Sequence, residues 1–198
     1  MKTVFQGFLM AVAVAASLYS QSNQPPQSGM RTSDRRSSSA DRKLQQRLYK
    51  EIGHELRMMP RFDTFDNLAY KVDGTTVTLL GQVVHATLKD EAEQRVKKIE
   101  GVEKVVNNIE ILPPSSGDDE LRRQLARAIF RDPRLSHYAV GPVPPIHIIV
   151  KSGHVALEGV VHDQGEKNAA GLRANGVPGI FSVQNNLQVE KTEKAEKQ

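Results

Sequence analysis

The residue types that perform catalytic or metal chemistry are present in this chain, but not at the spacings such chemistry needs. Six histidines occur among 198 residues, and there is no cysteine. His147 and His154 fall on the two strands of one predicted hairpin, opposite Glu158 and Lys151, where both should point away from the core into solvent. His85 and His162 each follow a predicted strand. None forms the His-Glu-x-x-His or i, i+4 arrangement of a helical zinc site, and no thiolate can complete a tetrahedral set. Glu91 and Glu93 sit on the polar side of a predicted helix, where solvated charge is expected. A Gly-x-Ser-x-Gly elbow and a glycine-rich phosphate loop after a strand are both missing. The sequence reads as non-enzymatic, with no metal and no cofactor.

Charge is the remaining resource. Lys89, Arg95, Lys97 and Lys98 surround one predicted helix, and Lys167 and Arg173 lie on its counterpart further along. Arg31, Arg35, Arg36, Arg42, Lys43, Arg47 and Lys50 gather earlier in the chain. The formal net charge of +4 is mild, below what nucleic-acid binding needs. Clustered on one face, such residues can attract an anionic phospholipid surface at about 1 kcal/mol each. Asp90, Glu91, Glu93 and Glu100 dilute the first cluster.

The elements that carry these residues come in duplicate. Comparing 72–109 with 150–187 at an offset of 78 gives twelve identities in thirty-eight positions, where chance gives roughly two. Among them are Gly81/Gly159, Lys89/Lys167, Arg95/Arg173 and Asn107/Asn185. Upstream, Leu44, Leu48 and Ile52 match Leu121, Leu125 and Ile129 at an offset of 77. The fold class is therefore α+β: two tandem α-β-β-α-β modules, each a three-stranded mixed sheet packed on two helices.

In the first module, Leu44, Leu48, Ile52 and Leu56 form one helical stripe starting after Asp41, a candidate N-cap. Strands over 67–72 and 76–83 turn at Asp73-Gly74-Thr75. Pairing Val72 with Val77 puts Leu68, Tyr70, Val72, Val77 and Leu79 on one face. Gly81 shares that face and should leave room for a helix to approach, as should Gly159 in the second module. A second helix with Leu88, Ala92, Val96 and Ile99 inward stops at Gly101. One strand over 104–111 then turns Val105, Asn107, Ile109 and Ile111 to one side. Asn107 and Asn185 are either ligand contacts or buried amides that fix the strand's register; a buried amide must be hydrogen-bonded.

The second module repeats the plan with strands over 146–151 and 154–161, turning at Ser152-Gly153. Its second helix is interrupted by Gly165, Gly171 and Gly176 and should be short or mobile, since glycine costs about 1 kcal/mol against alanine. The preceding run Val140-Gly-Pro-Val-Pro-Pro145 should be stiff and extended.

Outside the modules, Lys2 followed by the apolar run Phe8–Leu18 and small residues to Ser20 reads as a secretory signal peptide, 1–20. A run of about 11 residues is too short to span a bilayer, which takes roughly 20. Residues 21–40 read as a disordered linker and 191–198 as a charged tail. The modules themselves are bounded at 41–112 and 118–190, with 113–117 as a joint.

The motifs Thr78-Leu-Leu-Gly-Gln-Val83 with Gly101-Val-Glu-Lys-Val-Val-Asn-Asn-Ile109, repeated as Ala156-Leu-Glu-Gly-Val-Val161 with Gly179-Ile-Phe-Ser-Val-Gln-Asn-Asn-Leu187, resemble BON domains. Arg131-Asp-Pro-Arg-Leu135 sits where that family often has such a stretch. The resemblance covers about 41–190. It implies a bacterial periplasmic protein of the osmotically inducible type that binds phospholipid, with no catalytic residues to carry over. An alternative partner is another envelope protein, docked at an open sheet edge or on the outward Ile149 beside Ala156.

Overall fold

The computed structural model describes residues 31–190 apart from Pro142. The expected signal peptide, the first part of the linker and the charged tail lie outside the described residues.

Helix α1 runs from Arg31 to Arg57. It begins eleven residues before the expected start, so Asp41 lies within it and is not its N-cap, and the later half of the proposed linker is helical. Leu48, Ile52 and Leu56 are buried along its inner stripe, as their spacing requires. Strands β1 (Asn67–Asp73) and β2 (Thr76–Val83) pair antiparallel with Val72 opposite Val77. Helix α2 (Ala86–Lys97) crosses over the sheet, and β3 (Lys104–Asn107) and β4 (Glu110–Ile111) both pair parallel to β2. A parallel neighbour needs such a crossover, which α2 provides while covering the apolar face.

The last strand is broken where one continuous strand was expected. Asn107 is the cause: its Nδ2 donates to the Lys89 carbonyl at 2.9 Å and to Glu93 at 3.0 Å, and its Oδ1 accepts from the Ile109 amide at 3.2 Å. The strand resumes after this side-chain turn, and its alternation slips. Ile109 stays inside, Ile111 is 43% exposed, and Leu112 is buried in its place. Asn185 repeats the arrangement, donating to the Lys167 carbonyl at 2.7 Å and accepting from Leu187 at 3.4 Å.

The second module follows the same order: α3 (Ser116–Phe130), a 3-10 turn (Ser136–Ala139), β5 (Ile146–Lys151), β6 (His154–Val161), α4 (Gln164–Asn175), β7 (Ser182–Asn185) and β8 (Gln188–Val189). The Ser115 side chain caps α3, so the joint between modules shortens to 113–115. Helix α4 is not short: it has 12 residues, as many as α2. Its glycines do not break it. Asp163 caps its start by accepting from Glu166, and Gly176 lies beyond its end. Gly171 makes room for Asn185, whose Nδ2 would stand 2.8 Å from an added Cβ.

Gly81 and Gly159 serve the neighbouring strand rather than an approaching helix. Both have positive φ, +114° and +118°, and a Cβ would overlap the carbonyl oxygen of Asn67 or Pro145.

The modules keep separate cores but touch. The segment Met59–Asp66, between α1 and β1, lies along β5 of the second module. The Ile148 amide donates to the Thr64 carbonyl at 2.6 Å, and Thr64 Oγ1 donates to the Ile146 carbonyl at 2.7 Å. Phe62 stacks on His147 with ring centroids 5.6 Å apart, and Glu110 pairs with Lys151 at 2.5 Å. Two expectations fall here. His147 is largely buried, not solvated, and burial pushes its pKa down. Ile149, offered as an outward protein contact, is only 5% exposed. Their face of β5 was read as open because the covering segment comes from the other module. That same segment occupies the β5 edge an added strand would use.

Candidate functional site

Each module carries an open groove between its two helices, and the two grooves occupy equivalent places. In the first module the groove has a volume of about 1000 Å³, between α1 and α2. Four cations line it, Arg47, Lys50, Arg95 and Lys98, together with His54. Four carboxylates also line it, Glu51, Glu55, Glu91 and Glu100, so its formal charge is zero. In the second module the groove has about 530 Å³, between α3 and α4. Arg127, Arg131 and Arg173 face a single carboxylate, Asp132, for a formal charge of +2. Leu172, 75% exposed, stands on its rim.

One ion pair is common to both grooves. Arg95 Nη1 meets Glu55 at 3.1 Å, and its Nε meets Glu91 at 2.8 Å. Arg173 Nε meets Asp132 at 2.8 Å. The repeat offsets make Arg173 the counterpart of Arg95 and Asp132 the counterpart of Glu55. The Arg173 guanidinium, helped by the Arg134 amide, holds the Asp132 carboxyl below the usual carboxylate range. Partly exposed pairs of this kind contribute little stability. What they do is tie an arginine of one helix to a carboxylate on the other side of the groove.

The other carboxylates have gone from the second module. Ala128 stands where the first has Glu51, Ala169 where it has Glu91, and Pro178 where it has Glu100. Arg127 and Arg131 replace Lys50 and His54. Neither arginine has a carboxylate within ion-pair distance among the described residues. Their guanidinium forks are free to meet phosphate oxygens, which they match in geometry.

The residues proposed from sequence divide unevenly over this geometry. Arg95 and Lys98 line the first groove and Arg173 the second. Lys97 lies outside it, paired with Glu93 at 2.5 Å, and that contact followed by the Asn107 amide holds the Glu93 carboxyl low. The Lys89 ammonium donates to the Ile109 carbonyl at 2.8 Å and so closes the core end of α2. Lys167 lines neither groove. Asn107 and Asn185 are register-fixing amides with their hydrogen bonds made, and Gly81 and Gly159 are backbone positions; none of the four reaches a groove. Arg127, Arg131 and Leu172 went unselected; aligning the copies sets them against Lys50, His54 and Gln94, beside positions where Glu51 and Glu91 are lost, and that comparison would have found them.

Among the described residues, no three His, Asp or Glu side chains converge as metal ligands, and no helix is long and apolar enough to cross a membrane. His162 Nδ1 lies 2.8 Å from Glu190, while the Tyr138 hydroxyl donates to Glu166 at 2.7 Å and accepts from the His162 amide at 2.8 Å. These contacts tie the start of α4 to the end of the module.

Comparison with known proteins agrees with the duplication. The family described as BON domain matches twice, over 41–113 and 117–191. No curated protein matches the chain. Among solved structures, CdsD, a structural protein of the type III secretion system of Chlamydia trachomatis, is 13% identical with a TM-score of 0.26, covering 74% of this chain and 93% of that one. A structure of the CdsD C-terminal domain is 14% identical with a TM-score of 0.26, covering 73% and 98%.

Proposed function

The chain belongs to the BON domain family, and on that premise we propose that it is an exported envelope protein that attaches to anionic phospholipid surfaces through the groove between α3 and α4. BON-domain proteins are generally non-enzymatic and typically belong to the periplasm or envelope. A periplasmic location, a cleaved signal peptide and a role in osmotic stress form part of the same proposal.

The observation that supports the lipid reading is the divergence of the two grooves. Both keep the Arg–carboxylate pair, but only the second presents three arginines against one carboxylate. A groove of zero formal charge gains little from an anionic surface. Near an anionic leaflet, a groove of net charge +2 contributes about 2 kcal/mol, enough for weak binding that salt screens.

Co-sedimentation with vesicles tests this. The chain should pellet with phosphatidylglycerol or cardiolipin vesicles at low salt, less at near-physiological salt, and not with phosphatidylcholine. Failure to pellet with any vesicle at low salt would sink the reading.

A further inference from the structure

The second module exposes two large apolar side chains beside its arginines. Leu172 is 75% exposed and Phe181 is 78% exposed. Single exposed hydrophobic residues are common and need no explanation. These two differ because the first module shows what the fold needs at the same places. Its counterparts are Gln94 and Glu103, both polar, and Glu103 accepts a hydrogen bond from Thr75 Oγ1 at 2.8 Å. The fold therefore does not require an apolar residue at either position.

Phe181 is also held in place. Its amide donates to the Gly153 carbonyl at 2.9 Å, and its ring lies over Gly153, where an added Cβ would come within 2.7 Å of Cδ2. The ring centroid is 5.8 Å from that of His154. The turn beneath it has positive φ at Ser152 and Gly153 and is pinned by Asp118, which accepts from both their amides at 2.8 and 2.9 Å. A fixed aromatic ring loses little conformational entropy when it is buried by a partner.

The chain connects this ring to the groove. Gly176 lines the groove, and Gly179 lies over Leu121, one turn before Gln124 on α3. Phe181 thus stands at the end of the cationic groove and Leu172 on its rim. We infer that Leu172 and Phe181 are an apolar anchor that enters the interfacial layer of an anionic bilayer while Arg127, Arg131 and Arg173 hold its phosphates. The inference rests on the proposed lipid attachment and adds insertion to it. Phe and Leu are the side chains that membrane-surface segments bury at the boundary between headgroups and acyl chains.

The chain contains no tryptophan, so Phe181→Trp introduces a single tryptophan at the site, which can be excited apart from the tyrosines. With phosphatidylglycerol vesicles the full-length F181W variant should pellet as the wild type does, its emission should shift to the blue, and lipids brominated on their acyl chains should quench it. Phe181→Glu, which restores the first module's residue, should weaken vesicle binding roughly tenfold, as loss of a buried aromatic predicts. Pelleting of the F181W variant without shift or quenching, or an F181E variant that binds like wild type, overturns the anchor and leaves surface attachment standing. A wild-type chain that does not pellet overturns both.

Discussion

Arg173 reaches from α4 to Asp132 at the end of α3, 2.8 Å away, and so repeats in the second module the contact that Arg95 makes with Glu55 in the first. The pair survives duplication while nearly every other charge around it changes. The groove thus keeps its bridging pair while the charges that line it change.

The shared frame makes a first prediction. Asn107→Ala and Asn185→Ala should each destabilise the protein by about 1–3 kcal/mol, because each takes the side-chain partner from a helix carbonyl, Lys89 or Lys167, and from the amide at the strand break, Ile109 or Leu187. The two effects should add, the sites being in separate modules. Urea denaturation of the single and double variants measures this.

Gly81→Ala and Gly159→Ala should cost on the order of 3 kcal/mol each, from positive φ combined with overlap on a neighbouring carbonyl. Gly171→Ala should cost less, since the Asn185 side chain it meets can shift. Thermal melts of the three variants give the order directly.

The contact between modules should respond to acid. His147 is buried against Phe62 and the Asp63–Asp66 segment, opposite Glu158, and its Nδ1 meets no hydrogen-bond partner among the described residues. Burial lowers its pKa below 6.5. Its contribution is therefore complete above pH 6.5 and is lost as pH falls through the lowered value, because the opened state takes up a proton that the closed one resists. Asp66, held up to about 6 by burial, acts in the opposite sense: its contribution is present below pH 3.8 and lost as pH rises through 6. His147→Phe should thus flatten the loss of stability between pH 7 and 5, and Asp66→Asn should steepen it. Denaturation at a series of pH values distinguishes the two.

Much of the architecture was legible because it rests on local periodicity. Leu48, Ile52 and Leu56 had to share a helix face, and Val72 had to oppose Val77 once Asp73-Gly74-Thr75 was taken as a turn. His147 and Ile149 were misread because the segment covering them lies more than 80 residues earlier, and alternation along a strand cannot reveal what another module lays over it. Helix α4 was undervalued because the space that Gly171 leaves for Asn185 outweighs its poor helix propensity. The candidate groove was half legible. Arg95, Lys98 and Arg173 were found as charges, but Lys89 and Lys97 already have intramolecular partners, which sequence spacing alone does not show. Arg127 and Arg131 emerge only when the copies are aligned on Lys50 and His54 and the loss of the neighbouring Glu51 and Glu91 is noted.

The central claim, that the second module's groove meets the membrane, is tested most directly by paired charge reversal. Arg127→Glu with Arg131→Glu should lower binding to phosphatidylglycerol vesicles at least tenfold, at about 1 kcal/mol or more for each arginine removed. Lys50→Glu with Lys98→Glu, the same change of charge in the first groove, should leave binding within about twofold of wild type, because a local site rather than net charge governs attachment. Equal losses from the two pairs, or a larger loss from the first module, would contradict the account.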